Sequence, residues 1–280
     1  MSGADWMKPK PDVAYEPVDL QTDRPHPARV YDFLLGGKDN FPADRTAAEA
    51  GLKANPSSRI PPRENRNFLR RVVEHLAAEQ GVRQFLDIGT GIPTSPNVHE
   101  VAQDIAPESR IVYVDNDPIV LAHARALLTS KPEGRTEYID ADLRDVDRIL
   151  TAPQLRQVID FDQPVALMLI AIMHFVGDAD RPYEVVSRLV DALPSGSFLA
   201  LSHLTGDFDQ AAWDRVAAIY AKQGVTMQVR SHEEIARFFT GLELVEPGLP
   251  VVTKWRPDAA VDANATDTQV AVYGGVAKKA

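Results

Sequence analysis

The chain has 280 residues and no cysteine, so disulfides, thiolate metal ligands and a cysteine nucleophile are all excluded from its chemistry. Histidine is sparse: His26, His75, His99, His123, His174, His203 and His232 are scattered, with no close His-x-x-x-His pair, and no metal site is expected. No window approaches the length of a membrane span, and the opening MSGADWMKPK lacks the apolar run of a signal peptide. The expectation is a soluble, cytoplasmic protein with no membrane partner. Positive charge is short as well. Lys+Arg 30 against Asp+Glu 40 gives a net charge of −10, a surface that repels a phosphate backbone, so a nucleic-acid partner is disfavoured. The one basic cluster, RENRNFLRR, puts Arg63, Arg66 and Arg70 on one helical face, which reads first as a solvated face.

What is present is enough for a large core, with 44% hydrophobic residues. Residues 1–26 are rich in proline and charge and are expected to be a flexible or surface-draped arm. A helical cap is expected over 27–80. In it Pro27 opens a short helix ended by Gly36-Gly37, and a longer helix from Pro62 carries Leu69, Val72, Val73 and Leu76 on one face. From 81 to 280 β-branched runs alternate with helical stripes, the pattern of parallel strands with crossover helices on both faces. Strands are expected at 84–88, 111–115, 136–140, 165–171 and 197–203. Helical stripes fall on Val98, Val101, Ala102 and Ile105, on Val185, Val186, Leu189, Val190 and Leu193, and on Trp213, Val216, Ala217 and Tyr220. LELVEP and TQVAVYGGVAKK, with no helix between them, suggest a terminal antiparallel pair appended to the α/β sheet.

The stretch FLDIGTGIPTSPNVHE runs a strand into a glycine turn and then into a helix beginning near Ser95-Pro96. Gly89 and Gly91 therefore sit at the carboxyl end of the first parallel strand, where open α/β sheets bind ligands. A diphosphate would want a third glycine and the helix end directly. Ile92-Pro93-Thr94 stands there instead, and Pro93 removes a donor and adds bulk. Such a loop suits a nucleoside joined to an amino-acid tail better than NAD. The second strand ends in Asp115, a carboxylate able to accept from both ribose hydroxyls, and the third runs to Asp142, placed to accept from an adenine amino group. Asp117, before Pro118, reads as a helix N-cap, and Asp145 and Asp147 as first-turn helix charges.

FLDIGTG, VYVDND and DADLRD resemble the first three motifs of class I S-adenosylmethionine-dependent methyltransferases. With RVYDFLLGGKDNFPADR and NRNFLRR, the chain from about residue 25 onward is similar to the actinobacterial S-adenosyl methyltransferase family once known only as a domain of unknown function. The resemblance implies a Rossmann-like sheet of seven strands, the last inserted antiparallel, behind an N-terminal helical cap. It implies S-adenosyl-L-methionine as methyl donor and S-adenosyl-L-homocysteine as product. It puts Asp87, Gly89, Thr90 and Gly91 at the methionine and ribose end of the cofactor, Asp115 on the ribose with Asn116 beside it, and Asp142 with Leu143 near the adenine.

The acceptor side is less marked. The fourth strand delivers His174 to the ligand edge, where an imidazole is a candidate base for a protonated acceptor, and His203 is a weaker candidate of the same kind. Tyr31 and Phe33 on the first helix are candidates to close the cofactor site, with Phe33 favoured as a packing residue. Arg66 is a candidate for the cofactor carboxylate, since guanidinium offers a bidentate fork. The leading expectation is methyl transfer to a small-molecule acceptor. The alternatives are a non-catalytic protein that binds S-adenosylmethionine or its product and, more distantly, an NAD-dependent oxidoreductase.

Overall fold

The computed structural model describes residues 19–127 and 130–280. Of the expected arm, residues 1–18 lie outside that range. Seven strands form one sheet, β1 (Gln84–Ile88), β2 (Arg110–Asp115), β3 (Arg135–Asp140), β4 (Ala166–Ile170), β5 (Phe198–Leu204), β6 (Glu243–Leu244) and β7 (Val272–Lys278), in the order β3-β2-β1-β4-β5-β7-β6. The first five are parallel, and β7 runs antiparallel to both β5 and β6. The five expected parallel strands and the late antiparallel pair are all present.

The strands read as continuous apolar runs because both sheet faces are covered. In β4, Ala166, Met168 and Ile170 face one hydrophobic cluster while Leu167 and Leu169 face the other, as the period of two requires. The first cluster is closed by α1 (Pro27–Leu35), α2 (Pro42–Ala54), α3 (Ile60–Ala78), α4 (Val98–Ile105) and, beyond α5 (Pro118–Leu127), by residues of α9 (Gln210–Ala221). The second is closed by α6 (Val146–Thr151), α7 (Pro153–Val158), α8 (Pro182–Asp191) and α10 (His232–Ala236). A short α11 (Asp267–Val270) lies between β6 and β7, where the sequence pattern suggested no helix.

Helix ends follow the local chemistry. Gly36 terminates α1 at φ +87°, and Asp32 then gathers the following turn, accepting from Asp39 N at 3.0 Å and Asn40 Nδ2 at 2.7 Å. The LLGGKDN segment is thus a helix stop locked by one buried carboxylate. Helix α4 starts at Val98, later than the expected Ser95-Pro96, because Asn97 is its N-cap in a capping box with Glu100. Its fourth stripe residue, Ile105, is exposed at the helix end instead of buried.

Candidate active site

The carboxyl ends of β1, β2, β3 and β4 open onto a cavity of about 460 Å³. Asp87, Gly89, Thr90, Gly91, Asp115, Asn116, Asp142, Leu143, Tyr31 and Arg66 all line it. Gly89 and Gly91 adopt φ +77° and +69°, and a Cβ on Gly89 would lie 2.5 Å from Ile172 Cγ1. Glycine is required there by conformation and by space. The turn is hung on β2, with Gly89 N donating to Val114 O at 2.8 Å.

Asp115 organises the turn. Its Oδ2 accepts from Gly91 N at 2.8 Å and its Oδ1 from Asp117 N at 3.0 Å, so the carboxylate that lines the cavity also sets the loop's shape. Burial raises its pKa, against the two amide hydrogen bonds. Asp87 lies deeper. Burial pushes its pKa up to about 7, Asp115 adds to the rise, and the Arg66 guanidinium opposes it. Asp142 sits at the rim, where the hydrogen-bonded Arg144 guanidinium holds it below the usual carboxylate range, and Asn116 Nδ2 donates to it at 3.1 Å. Arg66 reaches across from α3 and donates to the carbonyls of Thr94 and Pro96. It ties the Ile92-Pro93-Thr94 segment to the cap, a contact the sequence did not disclose. Of its companions on that face, Arg70 pairs with Glu74 at 2.7 Å and with Asp258, and Arg63 is exposed.

Three further groups line the cavity without having been singled out for it. Asp117 caps α5 as expected, accepting from Ile119 N at 2.8 Å, but its other oxygen meets His26 Nδ1 at 3.0 Å and Arg29 Nε at 3.2 Å. Although burial opposes it, the His26 contact keeps Asp117 below the ordinary range. Arg29, only 2% exposed, also donates to the carbonyls of Gln21 and Arg24 at 3.2 Å each, which drapes residues 20–26 along the cavity mouth. Asn65 of α3 donates to Tyr31 Oη at 3.1 Å and accepts from Ser202 Oγ at 2.5 Å. Tyr31 in turn donates to Pro62 O at 3.0 Å. Asn65 lies inside the quoted NRNFLRR, where the arginines drew attention away from it.

The histidines part company. His174 does not line the large cavity. It lines a second, smaller one of about 70 Å³, walled by α1, α3 and α9. It is 4% exposed, and its Nδ1 has no hydrogen-bond partner among the described residues. Burial, then His203 and Arg230, hold its pKa well below the usual imidazole range, so the ring is neutral at physiological pH. His203 lines neither cavity. Its Nδ1 contacts Leu204 O at 2.6 Å and its Nε2 meets Arg230 Nη1 at 2.9 Å, and burial pushes its pKa down to about 3. Both nitrogens are committed, and the expectation of His203 as a base is corrected to a packing role. Phe33 also lines neither cavity. Its ring lies under Arg59 at 5.0 Å, a packing residue as expected. Among the described residues no group of histidines and carboxylates is arranged to hold a metal, and no helix is long and apolar enough to cross a membrane.

Comparison with known proteins accords with this geometry. A family model described as S-adenosyl methyltransferase matches residues 14–280. The crystal structure of a DUF574 family protein from Streptomyces avermitilis superposes with a TM-score of 0.91 at 52% identity, over 94% of this chain and 100% of that one. A Thermobifida fusca protein, provisionally assigned as a methyltransferase, gives 0.85 at 42% identity over 95% of this chain and 99% of that one. An O-methyltransferase family protein from Burkholderia thailandensis, 14% identical, shares the fold at a TM-score of 0.51 over 89% of this chain and 64% of its own. None of the curated proteins matches. The protein belongs to the S-adenosyl methyltransferase family and is an enzyme that uses S-adenosylmethionine as its methyl donor.

Proposed function

We propose that the 460 Å³ cavity seats S-adenosylmethionine and that its methyl group passes directly to a small-molecule acceptor. The observation that carries this reading is the convergence of Asp87, Asp115 and Asp142, from three adjacent strands, with the Gly89–Gly91 turn around one cavity. The donor set fits the molecule. Asp115 has lone pairs left for ribose hydroxyls, whereas Asp142, with Leu143 beside it, already accepts four hydrogen bonds from Arg144 and Asn116 and takes an adenine amino group only by exchanging one of them. Asp87 offers a buried carboxylate to the cationic methionine end, and Arg66 retains guanidinium hydrogens for the carboxylate. Tyr31, fixed by Pro62 and Asn65, covers the inner end. When bound, the cofactor supplies a methyl group on a sulfonium, ready for in-line attack. The protein's share is to orient the acceptor and exclude water.

A diphosphate cofactor is less well served. The N-cap of α4, Asn97, and its first residue, Val98, are not among the cavity walls, and Glu100 already completes the capping box. In this reading residues 20–26 and the 27–80 cap form the cover and residues 81–280 the cofactor-binding body. The net charge of −10 favours a small acceptor over nucleic acid, and the cysteine-free chain suits the cytoplasm. Calorimetric titration with S-adenosylhomocysteine and with NAD tests the assignment. The former is expected to bind and the latter not, and the reverse result would overturn it.

A further inference from the structure

The smaller cavity adjoins the larger: Tyr31, Asn65, Ala171 and Phe175 are among the residues that line both. No Asp, Glu, Lys or Arg is among its lining residues, so a carboxylate or ammonium placed in it would lose its water without gaining a counter-charge. Its walls are flat and apolar, including Trp213, Tyr220, Phe175 and the Pro61-Pro62 pair. At about 10–15 Å³ per water by this measure, it holds about five water positions, the room of a single ring. Some of its polar groups are engaged. Tyr31 and Asn65 bond each other, Pro62 and Ser202, and Ser58 Oγ donates to Asn55 O at 2.8 Å. Among the described residues the Trp213 indole and Tyr220 hydroxyl form no hydrogen bond, and His174, a buried neutral imidazole, has an Nδ1 cut off from solvent and without a partner. Buried polar atoms are rarely left unpaired.

We propose that this pocket is the acceptor subsite and that it takes a neutral, ring-sized aromatic alcohol whose hydroxyl hydrogen-bonds the His174 imidazole. The inference rests on the larger cavity being the donor site. The hydroxyl oxygen takes the methyl carbon as the carbon–sulfur bond breaks. The sulfur keeps the bonding pair, and the hydroxyl proton passes to His174 and leaves to solvent when the product does. A weakly basic imidazole suffices, because the oxygen becomes strongly acidic as it acquires the methyl group.

The test is titration of 4-ethylphenol into protein saturated with S-adenosylhomocysteine, beside its charged counterparts 4-ethylbenzoate and 4-ethylbenzylamine and beside ethylbenzene. The phenol is expected to bind at least about tenfold more tightly than either charged compound. Val216→Phe, which fills the pocket from α9, is expected to weaken the phenol by at least about tenfold while S-adenosylhomocysteine affinity stays within about twofold. His174→Phe should weaken the phenol and spare ethylbenzene, a distinction that a merely structural role would not produce. Should Val216→Phe fail to fold, Leu34→Phe fills the same space from α1. Equal binding of the phenol and its charged counterparts, phenol binding indifferent to these substitutions, or no phenol binding by the loaded protein would overturn the proposal. Failure of the wild-type protein to bind S-adenosylhomocysteine would instead overturn the donor-site reading.

Discussion

The larger cavity has strand ends along one side and carries five aspartates, whereas the pocket beside it is walled mainly by helices and, among the described residues, carries no Asp, Glu, Lys or Arg. The difference follows from what each element can offer. Parallel strands end at one edge, so short loops after β1, β2 and β3 bring backbone amides and acidic side chains to one place by topology alone. Helices α1, α3 and α9 meet through apolar faces, and the space between them is shaped by side-chain volume. The first region is specified by a few polar contacts and the second by packing.

Substitutions can break this contrast in graded ways. Arg29→Ala should have the largest effect, because it strands Asp44 and Asp117, 0% and 2% exposed, without their cation and frees the draped arm. A loss of about 3–5 kcal/mol in denaturant unfolding is expected for breaking such a buried pair. Asp115→Ala removes both the proposed ribose acceptor and the clasp on Gly91 N and Asp117 N. Calorimetry should show S-adenosylhomocysteine binding weakened by about 1.5–3 kcal/mol, and an unchanged affinity would refute the ribose assignment. Gly89→Ala forces a side chain into left-handed backbone against Ile172, and a stability loss of about 1–3 kcal/mol is expected in thermal unfolding.

A subtler test uses pH. The folded pKa of Asp87, about 7, stands above its ordinary 3.8, so the folded state holds this proton more tightly than the unfolded state. The contribution of Asp87 to stability therefore falls as pH rises from about 4 and reaches its full penalty above about 7. Asp87→Asn should remove that decline from the ligand-free protein. Parallel stability curves for the two proteins between those limits would count against a buried, protonated Asp87. The smallest effect belongs to Arg63→Ala, an exposed neighbour of Arg66, expected to stay within about 0.5 kcal/mol in stability and to leave S-adenosylhomocysteine affinity unchanged.

Legibility in the sequence divides along the same line. The strand-end residues could be read because Gly89, Asp115 and Asp142 belong to local patterns, each a run of apolar residues ending in a turn. All five parallel strands fell within two residues of expectation for the same reason. Asn65 and His26 could not be read this way. Their roles depend on partners 137 positions away at Ser202 and at Asp117, the cap of α5, and no local pattern encodes such pairings. His174 and His203 look alike in sequence, each following an apolar run, although His203 lies within β5 and His174 in a short turn after β4. Arg230, a buried guanidinium from a distant loop, engages one and leaves the other without a partner at Nδ1.

The order of strands, the glycine turn and the acidic strand ends were determined by the sequence itself, because hydrophobic period and turn chemistry act over a few residues. Which histidine faces a cavity, how Tyr31 is held, and that an uncharged pocket lies beside the larger cavity were decided only by the tertiary structure. Those features depend on side chains from remote segments meeting in a dry interior, where one missing partner or one added charge outweighs any local preference.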